Sequence, residues 1–403
     1  MATQVTGAGG TTTSFSNTPQ AKDDLFLLSE NDTGVLILNV LANDLGGAAK
    51  QLYSIDNAIS DPTSTKVPAP ADLLTRDATY SGNVGGGTDT SYLGAHIWIG
   101  TDGTIHYDTA TIDGKIQALG AGEVLTDKVT YAIQLGNGTL SWATATIQFN
   151  GTNDKPVITS GTQSASVTEI ADLAAGENIT THVKTGAITF SDADTLDTHT
   201  ATFVAATGNT TALGTFALNT SNIDTGNGGS VGWTFSVSDG ALDYLQAGQV
   251  VTQSYIVSIN DGHGGIVPQT VTVTITGSED KPVITSGTQS ASVTEIADLA
   301  AGENITTHVK TGAITFSDAD TLDTHTATFV AAAGNTTALG TFALNTSNID
   351  TGNGGSVGWT FSVSDGALDY LQAGQVVTQS YIVSINDGHG GIVPQTVTVT
   401  ITG

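Results

Sequence analysis

The string SDADTLDTH occupies residues 191–199 and returns unchanged at residues 317–325, each time placing three carboxylates and one imidazole in nine positions. Acids at that density suit a metalloenzyme, a calcium-bound structural loop, or a solvated turn whose Asp side chains cap backbone N–H groups. Asp192 and Asp194 stand two residues apart, so an extended chain faces them the same way and a turn folds both onto one ion. Asp318 and Asp320 repeat the pair. Catalysis finds little support around them, because no nucleophile elbow, P-loop or His-Glu zinc motif occurs. Asp239 and Asp243 are paired carboxylates of the type used in glycoside hydrolysis, but nothing in their spacing fixes the separation that chemistry needs. His182, His199 and His263 share no short spacing, do not resemble zinc ligands, and are expected at solvent-facing strand and turn positions. The chain is therefore not expected to be an enzyme.

The elements that position these acids are repeated. Shifting the chain by 126 lays residues 151–276 over residues 277–402 with three mismatches, Thr152/Ser278, Asn153/Glu279 and Thr207/Ala333. Gly403 falls on the position of Gly151 and Gly277, so the chain is expected to be a piece of a longer tandem array. Residues 21–150 share the skeleton without the identity: LGAGEVLTDKVTYAIQLGNGTLSWATATIQFNGTNDKP lies over LQAGQVVTQSYIVSINDGHGGIVPQTVTVTITGSEDKP. The expected division is a flexible leader at 1–20, a divergent module at 21–150, and two repeats at 151–276 and 277–403.

The formal net charge of −28 is spread over all three modules, with 11 acids and two bases in the first repeat and 12 and two in the second. Acidity of that kind excludes nucleic acid and anionic membrane as partners. Without cysteine there are no disulfides, thiolate nucleophiles or Cys-ligated zinc. The first 20 residues show neither a basic n-region nor an apolar h-region, so no cleavable signal peptide is expected, and no run is long and apolar enough to insert in a membrane.

Inside each repeat the hydrophobic period is two. SASVTEI, GAITFSD, HTATFVA, GTFALNT, VGWTFSVS, VVTQSYIVSI and QTVTVTITG alternate apolar residues with Thr, Ser or Gln, and Gly-, Asn- and Asp-rich turns separate them. Seven or more short strands in such a span predict an all-β protein of three tandem Greek-key β-sandwiches. Only ALDYLQAG reads as a helical turn, NDGHGG reads as a hairpin loop, and Phe190, Phe203, Trp233, Phe235 and Tyr255 read as core. The six-residue linkers GTNDKP and GSEDKP, stiffened by Pro156 and Pro282, predict an extended rod.

TGAITFSDADTLDTHTATF, LQAGQVVTQSYIVSINDGHGG and VTVTITGSEDKPVI resemble the VCBS-type repeat of very large bacterial surface adhesins, over the full length of both repeats. AKDDLFLLSENDTGVLILNVLAND is similar, more loosely, to the start of the bacterial cadherin-like domains found in the same proteins. The resemblance implies Ig- or cadherin-like sandwiches, one-step (type I) export to the cell surface, RTX-adhesin architecture, and a part in cell adhesion and biofilm. It also implies a scheme in which an early glutamate, a mid-domain acidic pair and a linker acid meet on calcium. By motif position that scheme selects Asp154, Glu169, Asp192 and Asp194 in one repeat and Asp280, Glu295, Asp318 and Asp320 in the other. A weaker set is Asp24, Glu30 and Asp44, where Leu45, Gly46 and Gly47 replace further acids. The competing reading, in which these acids cap turns and solvate loops, fits the letters equally, and Asp197 reads as a turn residue. The expected function is an extender that presents distal modules, partnered by neighbouring modules of a longer chain. Rival readings are a module that binds carbohydrate or another surface through a Thr-rich face, and a self-assembling fibre or surface-layer subunit.

Overall fold

Alternating Val, Ile and aromatic residues with Thr, Ser and Gln gives each strand one face that must leave water and one that need not. In Val250–Asn260 the buried side chains include Tyr255, Val257 and Ile259. The hairpin partner Ile266–Thr276 buries Val271, Val273 and Ile275. The computed structural model describes residues 3–4, 21–57, 71–82, 89–209, 211–335 and 337–403. The expected leader at 1–20 lies outside the described residues except for Thr3–Gln4, which pair antiparallel with Leu27 and Phe26.

Each repeat is a sandwich of two four-stranded sheets. In residues 151–276 one sheet runs Val157–Ile158, Thr181–Ser191, Gly228–Ser238, Thr215–Asn222. The facing sheet runs Gln163–Thr168, Ile266–Thr276, Val250–Asn260, Thr200–Ala205. The chain thus enters on one sheet and crosses to the other within a few residues. Gln163–Thr168 then runs parallel to the last strand, with Gln163 opposite Val271 and Thr168 opposite Thr276. Residues 277–402 reproduce the order and register, with Gln289 opposite Val397.

Side chains from both sheets fill the space between them, among them Val167, Ile188, Phe190, Trp233, Phe235 and Val257. Trp233 also ties the sheets together, its Nε1 donating to Gln163 Oε1 at 2.8 Å. Gly186 stands opposite Trp233 in the register, and a Cβ there would lie inside the indole, so glycine is required. Phe203 departs from the core expectation. It is 38% exposed on the edge strand Thr200–Ala205 and covers Phe216 and Tyr255 edge-on, at 5.0 and 6.1 Å between ring centroids. The ALDYLQAG segment holds only the end of a short 3-10 turn, Asp239–Ala241, followed by irregular turns.

The first module is broader. One sheet runs Thr3–Gln4, Asp24–Ser29, Leu140–Asn150, Val124–Gln134, Gln51–Asp56. The other runs Val35–Leu38, Ile105–Asp108, His96–Gly100, Thr79–Tyr80, with Asp89–Thr90 beside His96–Gly100. Its core is a separate hydrophobic cluster, as is that of the second repeat. Among the described residues no helix is long and apolar enough to cross a membrane.

Candidate metal sites at the two linkers

The strand pairings decide which acids meet. Parallel pairing carries Glu169 to the end of the repeat, where its N–H donates to Thr276 O at 3.0 Å. There the Ser278 N–H donates to Glu169 Oε2 at 2.5 Å and the Ser278 hydroxyl to Glu169 O at 2.6 Å. Antiparallel pairing of Val157 and Ile158 with Ser191 and Phe190 puts Asp192 and Asp194 at the opposite end, beside the first linker. The Asp154 N–H donates to Asp194 Oδ2 at 2.8 Å, and the Asp194 N–H donates to Asp192 Oδ1 at 3.1 Å. Eleven-residue strands such as Thr181–Ser191 span roughly 35 Å from one end to the other.

The sequence-derived set Asp154, Glu169, Asp192 and Asp194 is therefore corrected. Glu169 belongs with Asp280, Asp318 and Asp320 at the second linker, where the Asp280 N–H donates to Asp320 Oδ2 at 3.1 Å. Glu295 likewise leaves its expected set, because its N–H donates to Thr402 O at 2.9 Å at the far end of the second repeat. The vacated position at the first linker is taken by Glu30, whose Oε1 accepts from the Thr152 N–H at 2.7 Å and from the Thr152 hydroxyl. This separates Glu30 from Asp24 and Asp44 by the strand Asp24–Ser29, roughly 20 Å. Asp24 and Asp44 instead share the Tyr131 hydroxyl, at 2.7 and 3.3 Å, and Asp44 Oδ1 also accepts from the Lys22 N–H at 2.6 Å. Burial pushes Asp44 up to about 6 despite these donors.

Two acids read as turn residues join the linker groups. Asp197 and Asp261 each bring a carboxylate oxygen within 4.8 Å of one from Asp192, with Asp192 and Asp261 3% and 0% exposed. The NDGHGG loop is the expected hairpin, since Asp261 Oδ1 accepts from the His263 and Gly265 N–H groups at 2.8 and 2.9 Å. Its Oδ2 faces the linker and accepts from Asn153 Nδ2 at 3.0 Å. Topology carried the missing signal: a strand that ends at the second linker must begin near the first, so the loop before it lies there too.

His199 is also corrected, from solvent-facing to buried. Its Nε2 lies 3.0 Å from Asp192 Oδ2 and its Nδ1 2.8 Å from Asp224 Oδ1, so the ring braces Asp192 from behind. Burial lowers the pKa of His199, and the two aspartates raise it by more. His182 is part-buried, 2.7 Å from the fully buried Asp239.

These groups fit a hard divalent cation. Glu30 Oε2, Asp194 Oδ1, Glu169 Oε1, Asp280 Oδ2 and Asp320 Oδ1 are buried with no hydrogen-bond partner, and their residues are at most 3% exposed. Buried carboxylate oxygens facing one another without donors are a costly arrangement unless a cation joins them. The protonation equilibria register the same cost. Burial, then the charges of Asp154, Asp197 and Asp192, push Asp194 up to about 6 against the Asp154 N–H bond. Burial, then Asp280, Asp323 and Asp318, push Asp320 up to about 7, again against a backbone hydrogen bond. Glu169 rises to about 7, mainly through burial. All the donors are oxygens, which favours calcium over softer metals.

No protein-family model matches the chain, and no curated protein matches it. Among solved structures it is similar to Drosophila N-cadherin EC1-4, at 15% identity over 95% of this chain and 73% of that one, with a TM-score of 0.28. It is similar to mouse Cadherin-23 EC22-24, at 14% identity over 96% and 99% of the two chains, with a TM-score of 0.33. It is also similar to Sidekick-1 immunoglobulin domains 1-4, at 10% identity over 100% and 76%, with a TM-score of 0.26.

Proposed function

We propose that the chain is a calcium-stiffened extender from a secreted bacterial surface adhesin, holding distal modules away from the cell and performing no catalysis. One observation carries this reading: at each linker, acids of the preceding and following modules bring buried, unpartnered oxygens to the linker, Glu30 and Asp194 at the first, where the Asp154 N–H binds Asp194, and Glu169 and Asp320 with the linker's own Asp280 at the second. An ion held there would restrain both modules and the linker between them, turning three tethered sandwiches into a rod. Glu30, Asp154, Asp192, Asp194, Asp197 and Asp261 would hold it at the first linker, with Glu169, Asp280, Asp318, Asp320 and Asp323 among its ligands at the second. Melting the protein in EDTA, in 5 mM magnesium and in 5 mM calcium tests the reading. A cation bound only by the folded form at about 100 times its dissociation constant adds roughly 2.7 kcal/mol per site. Identical melting in all three would sink it.

A further inference from the structure

The two linkers differ although the modules after them are nearly the same. Of the three substitutions separating the repeats, Thr207/Ala333 sits on an exposed turn and Thr152/Ser278 preserves the backbone N–H that reaches the preceding glutamate. Asn153/Glu279 changes the chemistry. At the first linker the Asn153 amide donates to Asp261 Oδ2, leaving Asn153 Oδ1 buried and unpartnered as a neutral donor. At the second, Glu279 takes that place beside Asp387, the counterpart of Asp261, so that two carboxylates meet where the first linker pairs an amide with a carboxylate. Both Glu279 oxygens and Asp387 Oδ2 are buried without a hydrogen-bond partner, in a residue only 1% exposed in the case of Asp387.

The convergence of oxygens shifts accordingly. The clustered donors at the first linker are Asp192, Asp197 and Asp261, whereas at the second they are Glu279, Asp320 and Asp323. Asp320 Oδ1 is buried and unpartnered within that second group. The preceding repeat adds to the difference: the Asp172 N–H donates to Asp280 Oδ1 at 2.5 Å, and the charges of Asp243 and Glu177 also bear on Asp280.

Resting on the calcium reading above, we propose that Glu279 makes the second linker a distinct divalent-cation site, of higher affinity than the first, so that the array stiffens from that joint outward as calcium rises. The amide at Asn153 supplies one neutral oxygen where Glu279 supplies a charged and bidentate-capable pair. Calcium affinity in oxygen cages follows ligand charge.

Calorimetric calcium titration of the full chain tests this with wild type and three variants. Wild type is expected to show two affinity classes separated by about tenfold or more. Glu279→Gln removes the charge at constant shape, and Glu279→Asn reproduces the first linker; each should weaken the tighter class about tenfold and leave the weaker one in place. Asn153→Glu should tighten the weaker class. Calcium binding that is identical in wild type, Glu279→Gln and Glu279→Asn would overturn this inference while leaving the extender reading intact. No heat and no melting shift with calcium in any of the proteins would overturn both. The asparagine variant already exists as a folded joint in the same chain, so loss of fold is not an expected outcome, and an ion-free melting temperature of the Glu279 variants no lower than that of wild type checks it.

Discussion

Asp320→Asn should stabilise the ion-free protein and destabilise the calcium-loaded one. Asp320 is 1% exposed, and burial together with Asp280, Asp323 and Asp318 moves its pKa from 3.8 to about 7. At pH 8 the ionised form is therefore held at a cost of roughly 4 kcal/mol. Asparagine keeps the shape, and its carbonyl can still accept from the Asp280 N–H that lies 3.1 Å from Asp320 Oδ2. A buried amide with an unpartnered N–H group carries its own penalty, so the net gain in EDTA is about 1–2 kcal/mol. For a module of this size that raises the melting temperature of the second repeat by roughly 3–8 °C. In saturating calcium the variant loses an anionic ligand and with it most of the roughly 2.7 kcal/mol that a site at about 100 times its dissociation constant supplies. The two melting curves should cross between the conditions. Calorimetry at pH 8 in EDTA and in 5 mM calcium reads this directly. A variant that melts lower in EDTA and keeps its full calcium response would refute the claim that Asp320 is a strained ligand.

Ion-free stability should fall as pH rises from about 4 to 7, because Asp194, Glu169 and Asp320 have folded-state values of about 6, 7 and 7, above those of an unfolded chain. Their contribution is complete below the unfolded values and is lost as pH climbs through the folded ones; a melting temperature in EDTA that climbs over that interval contradicts the burial argument. Asp239, by contrast, is held against the effect of burial below the usual carboxylate range, by His182 and by the Ile170 and Asn178 N–H groups at 2.9 and 3.1 Å. Asp239→Ala should cost about 2–4 kcal/mol by leaving those donors unpaired, measured by urea unfolding. Gly186→Ala should cost about 1–3 kcal/mol because its Cβ meets the Trp233 indole, and normal stability would show that the strands can part there. Small-angle scattering in calcium should give a radius of gyration above about 30 Å, where a compact body of this length gives roughly 21 Å.

The strands were legible because their signal is local: a Val-Thr alternation declares its own two faces, and GAITFSD, VGWTFSVS and QTVTVTITG fall on the strands Thr181–Ser191, Gly228–Ser238 and Ile266–Thr276, the first and last running one residue beyond their strands. The acid types of the candidate sites were legible for the same reason. Their grouping was not, because it depends on which end of a strand an acid occupies, and a single parallel pairing, Thr168 opposite Thr276, moves Glu169 from one linker to the other. Nothing in SVTEI announces that pairing. Asp261 was read as a turn former and is one, yet the oxygen it does not spend on the turn points at the linker. His199 was misplaced because Thr-rich flanks describe a wet strand, whereas here Asp192 and Asp224 supply partners for both ring nitrogens and allow burial.

The corrected grouping changes what a module is. Each repeat sends its early glutamate to its outgoing end and its paired aspartates to its incoming end, so the acids at each linker come from two modules. Glu30 of the first module accepts from Thr152 of the linker, and Asp194 of the next module accepts from Asp154 of the same linker. Glu295 lies at the outgoing end of the second repeat, its N–H paired with Thr402 O, and Asp24 and Asp44 gather on the Tyr131 hydroxyl in the first module. A cation bound in this way would sense the relation between neighbours as well as the fold of each one. On the proposed reading, duplication with almost no sequence change would be productive: every added copy would bring its aspartates to one joint and its glutamate to the next, and a single linker substitution such as Asn153 against Glu279 would set the strength of one joint without disturbing the sandwich on either side.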